Sequence, residues 1–267
     1  MLKAIATTGR REQKSSTESA LDAANMLKIP FVERRDRSIE ELAHFYEVDS
    51  LIVAKKNSLR LLTLDERNEI SEVFFHPSTA HLRIKMLRAG GVDRMIEAMG
   101  LTKGMRVLDC TLGLGADAIV SSFVSRCEVT AIEINPLLAF VVERGLKTFD
   151  GDNQSVLEAM RRVQVIAGDH LEVLRAASAR SFDVVYFDPM FRHPLERSSA
   201  FNVIRQAADH RPISEETIVE AKRVARRRVV LKENARSLEF ARLGFETFVG
   251  GRYSPIKYGV IDVELCP

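Results

Sequence analysis

Apolar positions recur in short alternating stretches along the first 75 residues. "LKAIATT" (2–8) reads as a strand, followed by a helix from about Ser16 to Lys28 and a second strand at "PFVE" (30–33). A helix opens at Ser38, where Glu41 three residues on supplies the other half of a capping box. "SLIVA" and "LRLLT" flank "KKNS" (55–58), the pattern of a hairpin. These elements predict a small α/β domain over residues 1–75. "EVFFHPSTAHLRIKMLRAGGVDRMIEAMG" (72–100) follows, punctuated by His76-Pro77 and Gly90-Gly91, and reads as a helical linker into a main domain over 76–267.

From Met105 onward the pattern repeats strand then helix. "MRVLDC", "CEVTAIE", "VQVIA", "FDVVYF" and "RRVVLK" are apolar runs of strand length with helical stretches between them. Right-handed crossovers then build a doubly wound parallel sheet, an α/β fold. The tail departs from this rule. "FETFVGG" and "KYGVIDVEL" are joined only by Arg252-Tyr253-Ser254-Pro255-Ile256, too short for a parallel crossover, so the sheet should end in an antiparallel hairpin.

Composition removes several function classes. The chain has 267 residues, 46% hydrophobic and 28% charged, which suits a folded protein with one large domain and a small one and argues against disorder or a fibrous repeat. No apolar run approaches a bilayer span and the N-terminus lacks a secretory apolar region, so a cytoplasmic protein without membrane partners is expected. Cys110, Cys127 and Cys266 are widely spaced, and His76 and His81 have no carboxylate or thiol at ligand spacing, so no metal is expected. A net charge of +2 is neutral on nucleic-acid binding, but Arg34, Arg35, Arg37, Lys55 and Lys56 gather in the small domain, where they could neutralise RNA phosphates or simply form a solvated face.

"VLDCTLGLGADA" (107–118) is a strand, a turn through Gly113 and Gly115, and a helix start, a place where backbone can approach a ligand. Taken alone it also fits a dinucleotide fingerprint, with Glu133 as the ribose-binding acid. Asp109, the antiparallel tail and Asp169 in "AGDH" favour another cofactor. Asp109 would repel a pyrophosphate but suits the ammonium of a methionyl group, and Asp169 lies where an adenine amino group would sit. The set resembles the Rossmann-like class I methyltransferases that use S-adenosyl-L-methionine.

"FDVVYFDPMFRH" (182–193) runs a buried strand into an acid, a proline and an aromatic. An exocyclic amino nitrogen is a poor nucleophile, so its attack on a sulfonium methyl requires alignment and fixed acceptors for its hydrogens. Asp188 and the Pro189 carbonyl can accept them while Phe191 stacks on a base. The order is similar to the D/N-P-P-Y/F motif of amino-group methyltransferases. With "LDCTLGLGADA", "EINP", "RSSA" and "RVVLK", it resembles the RsmJ-type methyltransferases, which modify a guanine N2 in small-subunit ribosomal RNA. That resemblance covers about residues 70 to 265. It implies a cofactor site lined by Ala116, Asp117, Glu133, Ile134, Asp169, His170 and Asp188 besides Asp109, Gly113 and Gly115. It also implies an RNA partner, with Arg192, His193 and Arg197 on the substrate side. Arg192 stands where the family usually carries proline, and "HPLER" lengthens the following loop. A methyltransferase acting on DNA, a protein amide or a small molecule, and a non-catalytic RNA-binding protein that keeps the cofactor fold, are the alternatives the sequence leaves open.

Overall fold

The computed structural model describes residues 2–10, 13–56, 58–189 and 211–263. They form two compact units, one drawn from 2–76 with 135–148, the other from 77–134, 149–189 and 211–263.

The first unit is built on β1 (Ala4–Thr8), α1 (Lys14–Leu27), α2 (Ile39–Tyr46), β2 (Ser50–Lys55), β3 (Ser58–Leu64) and β4 (Ile70–Phe74). The sheet order is β1-β2-β3-β4, with β1 parallel to β2 and the remaining pairs antiparallel. The capping box at α2 is formed, with Ser38 Oγ accepting from Glu41 N and Glu41 Oε2 accepting from Ser38 N. Two expectations change. "PFVE" contributes only a parallel bridge between Phe31 and Ala6, because Pro30 has no N–H to donate and the chain turns away at once, Arg37 N–H donating to Arg34 O. "EVFF" is not linker: it ends β4. Asp65 Oδ1 accepts from both Arg67 N and Glu69 N at 2.8 Å, an Asx turn that folds β4 back onto β3.

Within the second unit lie α3 (Ser78–Arg88), α4 (Arg94–Met99), β5 (Val107–Asp109), α5 (Ala116–Ser125), β6 (Val129–Glu133), then, after α6 (Pro136–Thr148) of the first unit, α7 (Gln154–Arg161), β7 (Val163–Ala167), α8 (His170–Ala176) and β8 (Phe182–Phe187). The unit continues with α9 (Glu215–Val224), β9 (Ala225–Asn234), α10 (Glu239–Arg242), β10 (Thr247–Val249) and β11 (Ile256–Asp262). The sheet runs β10-β11-β9-β8-β5-β6-β7; β7, β6, β5, β8 and β9 are parallel, and β11 is antiparallel to both neighbours. This is the Rossmann-like class I methyltransferase order with its antiparallel C-terminal hairpin.

Burial follows position in the sheet. Val184, Val185, Tyr186 and Phe187 of β8 are fully buried, as continuous apolar runs in a covered parallel sheet should be, whereas the edge strand β7 is largely exposed. Leu108, Ile132, Val185, Val229 and Leu231 share one core with Ile218, Ala221 and Val224 of α9.

Helix α6 carries a constraint that helix propensity alone would misjudge. A Cβ built on Gly145 would come within 2.2 Å of the Phe75 ring, so the ring occupies the space an alanine needs. Gly145→Ala, normally stabilising inside a helix, should here cost about 1–3 kcal/mol. Thermal denaturation checks this, and shortening the ring in a Gly145→Ala, Phe75→Leu double variant should recover part of the loss.

Candidate active site

The sheet order creates a switch point. The chain leaves β5 for β6 on one side, and after β7 it crosses to β8 on the other, so the carboxyl ends of β5 and β8 flank a crevice where α/β proteins place ligands. β5 ends at Asp109, and the chain turns into α5 through Gly113 and Gly115, whose φ values of 51° and 78° lie in the left-handed region. Gly115 is the N-cap of α5 and has no side chain to cap it, which leaves first-turn amides available to a ligand. Gly113 N–H donates to Glu133 Oε2 at 3.1 Å, fastening the turn to the end of β6. Ala116 and Asp117 open α5, and the half-buried Ile134 follows β6.

Behind this turn is a cluster of buried charge. Asp109 is 1% exposed; one oxygen accepts from Thr111 N at 3.0 Å, and Oδ2 is buried with no hydrogen-bond partner among the described residues. Burial first, then Asp117 and Asp188, push its carboxyl up to about 8. Asp117 accepts from Tyr186 Oη at 2.8 Å and pairs with Arg83 and, at 3.6 Å, with Lys232. Burial would raise it, but Lys232 and Arg83 hold it well below the usual carboxylate range. Arg83 also grips Asp93 with two bonds, Nε to Oδ2 at 2.7 Å and Nη2 to Oδ1 at 3.0 Å.

Asp188 stands one residue past β8. Its N–H donates to Thr111 Oγ1 at 2.6 Å, joining the end of β8 to the glycine turn, and its Oδ2 accepts from Lys232 Nζ at 2.6 Å. The register explains the pairing: Phe187 is opposite Leu231, so Asp188 and Lys232 are the next pair along, and Lys232 is opposite Tyr258 on the far side. Burial raises Asp188 to about 6, with Lys232 lowering it and Asp117 raising it.

At the end of β7, Asp169 caps α8 by accepting from Leu171 N at 2.8 Å, while its second oxygen pairs with Arg211 at 2.7 Å. His170 lies edge-on to Phe187 with ring centroids 5.9 Å apart. Pro189 follows Asp188; Phe191, Arg192, His193 and Arg197 lie outside the described residues. Among the described residues, no group of His, Cys, Asp or Glu is disposed to hold a metal ion, and no helix is long and apolar enough to cross a membrane.

A family model described as "Putative SAM-dependent methyltransferase" matches residues 38–243. The chain belongs to this family. The methyltransferase is 37% identical to the uncharacterized protein YpiP of Bacillus subtilis over 97% of this chain and 99% of that protein. It is 34% identical over 155 residues to the ribosomal RNA small subunit methyltransferase J of Pseudomonas savastanoi, and 34% over 152 residues to that of Pseudomonas aeruginosa. Those matches span a little over half of this chain (56% and 55%) and 56% of each relative. Among solved structures, the SAM-dependent methyltransferase NGO1261 of Neisseria gonorrhoeae superposes with a TM-score of 0.65, covering 97% of this chain and 96% of that one at 18% identity, which speaks to the fold. The methyl donor of the family is S-adenosylmethionine.

Sequence reasoning did not single out Lys232, Arg83, Tyr186 or Tyr258 as site residues. A signal existed for one of them: Lys232 closes the apolar run "RRVVLK", at a strand end beside the one that delivers Asp188. Arg83 offered none, because a cation in "AHLRIKMLR" looks like any solvated helix face until its partners are known.

The unpartnered Asp109 carboxyl carries a penalty that pH should reveal. Its folded-state pKa is raised far above the unfolded value, so the native state loses stability as pH rises from about 4 toward 8. Asp109→Asn, which keeps the shape without the charge, should therefore stabilise the ligand-free protein at pH 8 by on the order of 1–3 kcal/mol. The gain should vanish near pH 4, as thermal melts across that range would show.

Proposed function

We propose that this methyltransferase acts on an exocyclic amino group of a nucleobase, most specifically guanine N2 in small-subunit ribosomal RNA. One observation carries the reading: Asp188, ahead of Pro189, stands at the carboxyl end of β8 directly across the switch point from Asp109 and the glycine turn. The Pseudomonas relatives are named as ribosomal RNA methyltransferases, which supports the same substrate class.

The residues present fit the donor. Asp109 Oδ2, buried without a partner among the described residues, suits the ammonium of the methionyl group, and the uncapped start of α5 with Gly113, Gly115 and Ala116 lets backbone amides approach the ligand. Glu133 at the end of β6 suits ribose hydroxyls, Ile134 and His170 the faces of the adenine, and Asp169 its amino group, with Arg211 giving way or sharing that carboxylate. Asp117, occupied by Arg83, Tyr186 and Lys232, acts through its charge. Bound there, the cofactor supplies an electrophilic methyl on a sulfonium. Asp188 and the Pro189 carbonyl would hold the acceptor amino group, each accepting a hydrogen bond from it. Asp188 or water would take the proton that the nitrogen sheds as it gains the methyl. Phe191 would stack on the base, with Arg192, His193 and Arg197 beside the RNA.

Asp188→Ala should slow single-turnover methyl transfer at saturating cofactor by roughly a hundred- to a thousandfold, with Asp188→Asn retaining more because one acceptor oxygen remains. Wild-type rates in the alanine variant would exclude the mechanism. Nucleoside mass spectrometry of ribosomal RNA from cells with and without the gene identifies the modified base.

We also assign RNA docking to the first unit. Its parallel segments at β1, Phe31 and β2 end together, and those carboxyl ends deliver Arg10, Arg34, Arg35, Lys55 and Lys56. Burial first, then Arg10, lowers the pKa of Arg34, while Glu40 acts against them. Some of this charge is answered internally: Arg35 pairs with Glu33, and Lys55 with Glu72 at 3.7 Å. Changing Arg35, Lys55 and Lys56 to Glu should weaken RNA binding and flatten its salt dependence by about 0.7 to 0.9 in slope for each phosphate no longer neutralised. An unchanged salt slope would leave the cluster as a solvated face.

A further inference from the structure

We infer that Lys232 is a positioning residue for methyl transfer: through its ion pair it keeps Asp188 anionic and orients that carboxylate toward the acceptor amino group. The inference deepens the amino-transfer reading above and rests on it. Lys232 is largely buried, with a side chain 19% exposed, and its Nζ lies 2.6 Å from Asp188 Oδ2 and 3.6 Å from Asp117 Oδ2. Its place is set by strand register on both sides, against Asp188 and opposite Tyr258, so the ammonium has little freedom to leave the carboxylate.

Charge matching shows why this ion pair is more than neutralisation of Asp117. Arg83 already pairs with Asp117 and Asp93, and Tyr186 donates a further hydrogen bond to Asp117. Asp188 has one cationic partner among the described residues, and it is Lys232. Every other ionisable group that faces Asp188 among those residues disfavours its charge or lies beyond direct pairing. Asp117 on α5 is a like charge, Asp109 on β5 is itself pushed up to about 8, Tyr186 on β8 and Tyr258 on β11 are held protonated, and Arg83 on α3 is bonded to Asp93 and Asp117 instead. Remove Lys232, and burial together with the Asp117 charge protonates Asp188 near neutrality. A protonated carboxyl still offers an oxygen to an amino hydrogen, but no negative charge to the nitrogen as it becomes cationic. Chemistry slows while the cofactor residues Asp109, Glu133 and Asp169 stay in place.

The test is the pH dependence of single-turnover methyl transfer to small-subunit ribosomal RNA at saturating S-adenosylmethionine. In the wild type, the rate should rise with ionisation of Asp188, with an acid limb near pH 6. Lys232→Met should move that limb up by a pH unit or more, making the variant about tenfold slower below the limb, with recovery at high pH. Lys232→Arg should restore the wild-type limb. In an Asp188→Asn background, where that carboxyl is gone, Lys232→Met should produce no shift of the limb. A thermal-shift response to S-adenosylmethionine certifies folding, and Lys232→Gln takes the same reading if the Met variant does not fold. The role is overturned if the limb stays where the wild type has it, if the loss is the same at every pH, or if the shift survives in Asp188→Asn. If Asp188→Ala itself runs at the wild-type rate, the amino-transfer reading has failed; if Asp188→Ala is crippled and the limb is unmoved, only the role of Lys232 has.

Discussion

Buried charge at the switch point of the sheet is the constraint around which this unit is organised. Asp93, Asp109, Asp117 and Asp188 face only Arg83 and Lys232 among the described residues in direct pairing. Each cation is shared by two acids, and Asp109 receives none of them. Ion pairs withdrawn from water gain little net stability, since desolvation offsets their attraction, while removing one partner leaves the other uncompensated. The cluster would therefore be an unfavourable way to close a strand end if packing were the only purpose. On the proposed reading the crevice receives a cation, and an ammonium at Asp109 would supply the charge the protein withholds.

The large sheet was legible because its parallel strands sit in apolar runs and its crossovers have one hand. Five parallel strands and the antiparallel tail follow from that pattern, and the Arg252–Ile256 connection reads as antiparallel from its length alone. What escaped were short elements stabilised from outside themselves. "PFVE" has strand composition, but Pro30 and the turn at Arg34 leave it a single bridge. β4 has a weakly alternating, half-exposed sequence, and its existence depends on the Asx turn at Asp65. Local pattern is a poor guide wherever a turn decides the pairing.

The site divides along a similar line. Asp109, Gly113, Gly115 and Asp188 could be named from sequence because strand-end carboxylates and turn glycines combine a local backbone signature with a chemical one. Their geometry brings them together at one crevice. Lys232 and Arg83 carry no such signature; their significance lies in partners 44 and 34 residues away, at Asp188 and Asp117. Asp169 was recognisable as a carboxylate at a strand end, yet its pairing with Arg211, 42 residues on, was not. Polar groups whose role is to set another group's charge are invisible until the fold supplies the neighbour.

One sheet thereby keeps two acids in different states at neighbouring strands. Asp109 and Asp188 end adjacent parallel strands, both are desolvated, and both feel Asp117. The difference between them is the next strand over. β9 lies beside β8 but not beside β5, so the lysine near its end pairs directly with Asp188 and acts on Asp109 only as a more distant charge. Strand order thus separates the two carboxyls: the one on the central strand has no direct cationic partner among the described residues, and the one toward β9 is paired with Lys232. A Lys at the end of β6 instead would reverse the assignment, pairing Asp109 and leaving Asp188 to protonate. The sheet topology therefore has an electrostatic role as well as a mechanical one, since it decides which carboxylate has a built-in counter-charge before any ligand arrives.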